Sequence, residues 1–132
     1  MNRCETKPGL MHADLTDLVI GAAIEVHRQL GPGLLESAYE SCLAHELRNL
    51  GVPVRTQVET PVRYKDTLID CGYRLDMLID GSVIVELKAV EKLQPIHEAQ
   101  LMTYLRLSGL RVGLMINFNV VRLKDGLVRR VL

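Results

Sequence analysis

Residues 73 to 88 read YRLDMLIDGSVIVELK, and this stretch decides the fold. Two apolar runs, 75–79 and 83–87, flank Asp80-Gly81, a pair typical of tight turns, so the stretch predicts an antiparallel hairpin. Charged residues interrupt both runs. Glu86 and Lys88 are two apart on the second strand, so the pleat directs both side chains to one face, about 7 Å apart.

The register of this hairpin decides whether Asp76 joins them. A two-residue turn at 80–81 would pair Asp76 with Val85 and send its carboxylate to the opposite face. A three-residue loop at 80–82 pairs Asp76 with Glu86 instead. We predict this second register because it also pairs apolar residues with one another: Leu75 with Leu87, Met77 with Val85 and Ile79 with Val83.

Two opposed carboxylates about 5 Å apart repel one another, so the pair needs a compensating charge. A divalent cation such as Mg²⁺ prefers oxygen ligands and is commonly held by one or two carboxylates together with substrate phosphate. Lys88 could orient an attacking water or meet the charge that develops on a phosphate. The set indicates a phosphodiesterase site. Two alternatives are a solvated edge strand, disfavoured because residues 83–87 are apolar on both faces, and a buried Glu86–Lys88 ion pair.

Two helices are predicted before the strands. Apolar residues recur at helical spacing from Leu15 to Leu30 behind Asp14 as an N-cap, and Gly31-Pro32-Gly33 ends this helix. A second helix follows and ends at Gly51. Its apolar stripe consists of Leu35, Ala38, Tyr39, Cys42, Leu43, Leu47 and Leu50.

From Val54 to Ala89 the period changes to two, with turns at Lys65-Asp66 and Asp80-Gly81, which predicts three strands in an antiparallel meander. A third helix follows from Pro95 to Ser108-Gly109. A strand at 112–118 and a hairpin around Lys124-Asp125-Gly126 complete the chain. The predicted fold is α/β, a three-layer sandwich with a mixed sheet, in the order ααβββαβ plus a C-terminal hairpin.

The composition is that of one domain, with 132 residues of which 48% are hydrophobic. We expect a disordered leader over residues 1–12 and a single domain over 13–132. No apolar run approaches the roughly 20 residues that a bilayer crossing needs, and no export signal is visible. Three cysteines without a CxxC pair suggest neither a disulfide framework nor a zinc site, which favours a cytoplasmic location.

The net charge is zero, with 16 basic and 16 acidic residues, which argues against binding nucleic acid by bulk charge alone. From Leu101 onward there are six basic residues and one acid. A basic end beside an acidic centre would suit a site that holds cations in its middle and phosphates at its rim. A solvated charged tail is an equally good interpretation.

Two helices carry further candidate residues. His97, Gln100 and Tyr104 follow at i, i+3 and i+7 along one face, from which they could touch a phosphate backbone or brace the strand residues. An amphipathic boundary explains the same spacing. Glu36 opens the second helix, where the helix dipole alone would account for it.

The run Gly33-Leu34-Leu35-Glu36-Ser37-Ala38-Tyr39 resembles the signature of the GxxExxY proteins. Val85-Glu86-Leu87-Lys88-Ala89, followed by His97-Glu98-Ala99-Gln100-Leu101 and Tyr104, is similar to the same family. The resemblance extends from about Asp14 to the C-terminus. It places the chain by similarity in the PD-(D/E)XK nuclease superfamily, near its RecB-like and Cas4-like members, whose core agrees with the predicted element order.

The resemblance implies roles for individual residues. Asp76 would be the metal-bridging carboxylate, Glu86 the second metal ligand and the Leu87 carbonyl a third. Lys88 would position or activate the attacking water. Glu36 would correspond to an extra carboxylate from the preceding helix, while Gln100 and Tyr104 resemble the Q-x-x-x-Y element that supports site and substrate. One departure is that no proline precedes Asp76.

These observations predict a nuclease dependent on Mg²⁺ or Mn²⁺ that acts on nucleic acid, DNA more than RNA, with little sequence specificity. We expect no membrane association and consider a homodimer. A catalytically silent nucleic-acid-binding or assembly module on the same fold is the main alternative. A small-molecule enzyme using Cys71 or Cys42 as nucleophile with His97 or His45 has little support. Only Cys42 and His45 are spaced so as to pair, and Cys42 falls on the apolar stripe.

Overall fold

The protein is described here by a computed structural model that covers the backbone of residues 8–132 and the side chains of residues 13–132. The first helix, α1, is Pro8–Leu30. It begins before Asp14, so the N-cap predicted at that residue is wrong. The leader predicted over residues 1–12 lies partly outside the described residues, and its last part, from Pro8, belongs to α1. The helix ends as predicted at Gly31, whose φ is 69°.

The second helix, α2, is Glu36–Asn49, and Tyr39, Leu43, Ala44 and Leu47 are its buried residues. Leu35 and Leu50 were predicted to belong to the same stripe. They flank the helix instead and are 78% and 57% exposed. The stripe is therefore shorter than predicted, because the chain leaves the helical path at both of these positions.

Seven strands follow in the order β1 Val54–Glu59, β2 Val62–Tyr64, β3 Thr67–Ile69, β4 Arg74–Ile79, β5 Val83–Lys88, β6 Val112–Asn117 and β7 Leu127–Val131. Helix α3, Pro95–Ser108, connects β5 to β6. The main sheet has the order β1-β4-β5-β6-β7, while β2 and β3 form a separate two-stranded sheet. Because β5 and β6 are parallel and the other pairs antiparallel, the mixed sheet and the α/β class are confirmed.

Two predicted details of the strands are wrong. The turn at Lys65-Asp66 joins β2 to β3, so it does not connect two strands of the meander, which consists of β1, β4 and β5. The C-terminal hairpin is absent from the described chain: Leu123–Gly126 forms a 3₁₀ helix, and β7 pairs with β6. Strand β6 offers backbone hydrogen-bond partners along the whole length of β7. Residues 118–122, just before the 3₁₀ helix, form no strand with which β7 could pair.

Buried side chains form two clusters. The larger combines residues of α1 and α2 with Val85 and Leu114, and the smaller combines Leu101 of α3 with Ile84 and Met115. Neighbouring residues of β5 and β6 alternate between the clusters, so both faces of these strands are covered. None of the described helices is long and apolar enough to cross a membrane.

Candidate active site

The β4–β5 hairpin has the register that apolar pairing predicts. Met77 lies opposite Val85, and Ile79 lies opposite Val83. The predicted pair of Leu75 with Leu87 is not formed, because Leu75 packs in the smaller core cluster and Leu87 in the larger one. The loop between Ile79 and Val83 contains three residues, 80–82, and the Ser82 N–H donates to the Ile79 carbonyl at 3.0 Å. This register brings Asp76 next to Glu86.

Backbone pairing between β4 and β5 stops at Met77, and beyond it two side chains accept hydrogen bonds from the opposite strand. The Asp76 N–H donates to Glu86 Oε2 at 2.9 Å, and the Leu87 N–H donates to Asp76 Oδ2 at 2.8 Å. Each carboxylate thus replaces a carbonyl acceptor that a regular ladder would supply. The two strands separate here, and the gap contains both carboxylates.

Burial and mutual repulsion dominate the electrostatics of the pair. Glu86 is only 6% exposed. Burial, followed by the negative charge of Asp76, raises the pKa of Glu86 from 4.5 to about 8, against the opposing effects of the Asp76 N–H and the Lys88 charge. Burial also raises the pKa of Asp76, although the Leu87 N–H and Lys88 oppose it. The single lysine therefore does not compensate the two carboxylates.

Lys88 is half-buried at the end of β5. Among residues 13–132, ion pairs join Arg28 to Glu25, Arg74 to Glu59 and Arg130 to Glu98, and none joins Lys88 to Glu86. The buried Glu86–Lys88 ion pair considered from the sequence is therefore absent from this part of the chain.

A distortion of β1 and β4 directs Asp76 toward α2. Met77 packs in the larger core cluster, whereas Leu75, two residues earlier on the same strand, packs in the smaller one. The position between them is Asp76, and its register neighbour on β1 is Gln57, whose φ of 52° is left-handed. A left-handed φ is unfavourable for a residue with a side chain. It occurs at the point where the buried residues of β1 and β4 pass from one core cluster to the other.

Asp76 lines a cavity of about 220 Å³ between the strands and α2. Gln57 Nε2 donates to Glu40 Oε1 at 2.8 Å and also contacts Asp76. Burial raises the pKa of Glu40, and the charges of Asp76 and Glu36 add to this effect against the Gln57 hydrogen bond. The lining residues are Glu36, Ser37, Glu40, Gln57, Asp76 and Leu87.

Three residues of this cavity, Ser37, Glu40 and Gln57, were not predicted from the sequence. Glu40 lies four residues after Glu36, so helical spacing places both on one face of α2, and this signal could have found it. Gln57 gave no comparable signal, because nothing in the local sequence indicates a left-handed residue inside a strand.

Tyr39 explains why α2 begins beside the carboxylates. Its ring stacks on Phe118 with centroids 4.4 Å apart and an interplanar angle of 5°. Its hydroxyl donates to the Gly31 carbonyl at 2.6 Å and accepts from the Leu34 N–H at 3.1 Å. The loop between α1 and α2 is therefore fixed to the end of β6, which positions Glu36 at the cavity.

The three candidate residues on α3, His97, Gln100 and Tyr104, lie in different environments. Tyr104 is half-buried, and its pKa is raised by burial and by the charge of Glu86, which places it near the carboxylates. His97 caps its own helix, because its Nδ1 accepts from the Gln94 N–H at 3.0 Å. Gln100 is exposed and is not among the residues lining the cavity.

The cysteine alternative gains nothing from the structure. Cys42 packs against the larger core cluster, and Cys71 is exposed. The His45 ring lies 3.1 Å from Asn49 Nδ2, so its near neighbour on the helix is an amide. Cys4 lies outside the described residues.

The oxygen donors around the gap fit a hard divalent cation. In the described chain, no group of three or more His, Cys, Asp or Glu side chains has metal-holding geometry. The donor types nevertheless suit Mg²⁺ or Mn²⁺, since carboxylates of Asp76, Glu86 and Glu36 face one region. In an extended strand the N–H and C=O of a residue point to the same edge, so the Leu87 carbonyl also faces the gap.

Comparison with known proteins identifies a family. A family model described as the PD-(D/E)XK nuclease superfamily matches residues 13–131. No curated protein and no solved structure matches the chain significantly. The matched range runs from α1 into β7, so it includes every candidate residue described above.

Proposed function

Because this chain belongs to the PD-(D/E)XK nuclease superfamily, we propose that it is a metal-dependent nuclease that hydrolyses phosphodiester bonds of nucleic acid. The observation that carries the proposal is the gap between β4 and β5, where backbone N–H groups hold Asp76 and Glu86 and the single Lys88 only partly compensates their charge. We further propose that the substrate is DNA in preference to RNA and that sequence specificity is low.

Each residue around the gap has a proposed role. Asp76 and Glu86, with the Leu87 carbonyl and Glu36, would hold Mg²⁺ or Mn²⁺. The bound ion would supply positive charge to the phosphate and acidify the attacking water. Lys88 donates hydrogen bonds that orient this water or stabilise charge on the phosphate.

Residues on α3 would support the site from its other side. Tyr104 is near Glu86 and can donate its hydroxyl hydrogen to a carboxylate or phosphate oxygen. Gln100, which is exposed, would contact the substrate. We also propose that the chain is of the GxxExxY type, that residues 13–132 form a single three-layer domain, and that the protein is cytoplasmic and forms a homodimer.

The test is cleavage of labelled linear, single-stranded and branched DNA, with an RNA control, in Mg²⁺, Mn²⁺ or EDTA. We compare the wild type with Asp76→Asn, which keeps an acceptor for the Leu87 N–H but removes the charge, and with Lys88→Ala. Asp125→Asn, an exposed acid on the 3₁₀ helix, is the matched control. We expect metal-dependent cleavage that both site variants lose and the control keeps.

The same assay tests the alternative. Nucleic-acid binding that is equal with metal and with EDTA, without cleavage in any condition, would contradict the nuclease and support a catalytically silent binding module. Cleavage that survives Asp76→Asn would contradict the residue assignment.

A further inference from the structure

The aromatic residues of this chain are few and unevenly placed. There are four tyrosines, one phenylalanine and no tryptophan. Tyr39 and Phe118 stack on each other in the core. The remaining three, Tyr64, Tyr73 and Tyr104, lie on the β2–β3 hairpin, just after it and on α3.

The β2–β3 hairpin is built without a buried face. All three residues of β3 are exposed, and Tyr64 at the end of β2 is 61% exposed. Lys65 Nζ lies 5.6 Å from the centre of the Tyr64 ring. The hairpin is attached where β1 and β4 meet, since the Thr60 N–H donates to the Tyr73 carbonyl at 2.9 Å.

Aromatic rings connect this hairpin to the carboxylates. Tyr73, which is 44% exposed, meets Tyr104 edge to face with ring centroids 5.7 Å apart. Tyr104 in turn is close enough to Glu86 for the carboxylate charge to affect its phenol. Tyr73 is also only three residues before Asp76 on the same stretch of chain. The exposed surface therefore continues into the proposed active site.

We propose, on the premise of the nuclease function above, that the β2–β3 hairpin and Tyr73 bind an unpaired strand of the substrate and lead it to Asp76 and Glu86. Exposed bases of a single strand stack on aromatic side chains whatever their sequence, whereas bases inside a duplex are already stacked. Arg63 and Lys65, both exposed, supply positive charge for the phosphates. The preferred substrate is thus a single strand or a duplex with a single-stranded end.

The hairpin carries Arg63 and Lys65 as well as Asp66 and Asp70, but the cation next to the Tyr64 ring favours this occupant over a second copy of the chain. Lysine is depleted at the centre of protein interfaces, because burying its charge is costly. Here Lys65 lies over the Tyr64 ring, so a protein partner covering this ring would bury part of the Lys65 charge. A phosphate accommodates the same charge.

The absence of tryptophan permits a direct test. Tyr64→Trp and Tyr73→Trp each introduce one fluorescent indole, and stacking on a base quenches it. Leu50→Trp is the matched control, because Leu50 is 57% exposed at the other end of α2 from Glu36, about 20 Å along the helix. Each variant is titrated in EDTA with oligothymidylate and with a blunt DNA duplex.

We expect oligothymidylate to quench both hairpin variants and the duplex to quench them much less, with Leu50→Trp unchanged by either. Equal quenching by duplex, or quenching of all three variants alike, would overturn the proposal. The proposal would also be overturned if the emission maximum of Tyr73→Trp shifted with protein concentration in the absence of DNA. Such a shift would mean that a second copy of the chain covers this surface.

Affinity measurements distinguish the loss of the Tyr73 ring from a general loss of folding. By fluorescence anisotropy in EDTA, Tyr73→Ala should bind oligothymidylate about tenfold more weakly, whereas Tyr73→Phe, which keeps the stacking face, should bind as the wild type does. Equal affinity of Tyr73→Ala would contradict the proposal. Because EDTA prevents metal-dependent cleavage, this result is independent of the cleavage assay, and failure of the binding surface is distinguishable from failure of the nuclease.

Discussion

Asp76 and Glu86 are positioned by backbone N–H groups, and the charge of Lys88 only partly offsets the cost of burying them together. A pair built in this way retains its geometry whether or not a cation is bound, because the hydrogen bonds come from the strands themselves. Its cost is the free energy of burying charge, which the protein avoids at neutral pH by retaining a proton.

This cost gives the metal-free protein a pH dependence of stability. The pKa of Glu86 is raised to about 8 in the folded state, so between pH 4.5 and about 8 the folded chain holds a proton that the unfolded chain releases. The free energy of unfolding that Glu86 contributes therefore decreases as pH rises from 4.5 to about 8. Thermal denaturation in EDTA should show Tm falling from pH 5 to pH 8, less steeply for Glu86→Gln than for the exposed control Glu91→Gln. Equal slopes in the two variants would contradict this origin.

Gln57 should affect activity and stability in different ways. Both Gln57→Gly and Gln57→Ala remove the amide that contacts Glu40 and Asp76, so both should lower the cleavage rate. Only glycine also relieves the left-handed backbone, so Gln57→Gly should be about 1 kcal/mol more stable than Gln57→Ala. Urea denaturation gives the difference. A more stable alanine variant would show that the backbone here is not strained.

At this scale the sequence predicted contacts that depend on apolar pairing and missed those that depend on local distortion. The proximity of Asp76 and Glu86 followed from matching Met77 with Val85, a pair that the structure has. The end of backbone pairing beside that rung gave no signal in the sequence, and neither did the left-handed Gln57 on β1.

At the scale of elements, α2 contributes two acids to the cavity from successive turns. Glu40→Gln keeps an acceptor for Gln57 but removes one negative charge. We expect the Mg²⁺ concentration for half-maximal cleavage to rise severalfold with little change in Tm, because the cavity then attracts the cation less. Glu46→Gln, on the same helix but lining a different cavity, is the control and should leave this concentration unchanged. The same concentration in Glu40→Gln and wild type would place Glu40 outside the cation's reach.

The 3₁₀ helix and β7 can pack onto β6 only because residue 126 is a glycine, which has no Cβ. A Cβ on Gly126 would lie 2.2 Å from the Asn117 carbonyl oxygen, which belongs to backbone and cannot move independently. A Cβ on Gly113 would lie 2.7 Å from Leu101 Cδ1, the end of a flexible side chain. Gly126→Ala should therefore lower Tm more than Gly113→Ala, as measured by circular dichroism. The reverse order would contradict the packing.

Element order was predictable wherever a segment carries its own hydrophobic period. Both ends of α3 followed from Pro95 and Gly109, and the central strands from β-branched runs. The prediction failed for β7, because this strand pairs with β6 across the connection 118–126 and not with the residues just before the Lys124-Asp125-Gly126 turn signal. It also failed for β2 and β3, which have no buried face to distinguish them from sheet strands.

At the scale of the whole molecule, charges of the C-terminal region are partly engaged. Arg130 of β7 is paired with Glu98 of α3 at 2.6 Å, and Arg111 donates to the Leu132 carbonyl at 3.3 Å. Arg130 belongs to β7, a folded edge strand, so the solvated tail considered from the sequence does not describe this residue. Arg122, Lys124 and Arg129 are exposed, as that interpretation expects.

Cation binding should be linked to the stability of the entire domain. A ligand that binds only the folded protein stabilises it by RT ln(1 + [L]/Kd), and the gap between β4 and β5 exists only in the fold. Mg²⁺ must displace the proton that Glu86 retains below about pH 8, so the increase in Tm on adding Mg²⁺ should be larger at pH 8 than at pH 6. Scanning calorimetry of the wild type and Asp76→Asn measures it. An equal increase in both proteins would mean that Mg²⁺ acts elsewhere, whereas an increase confined to the wild type would tie this ion to Asp76.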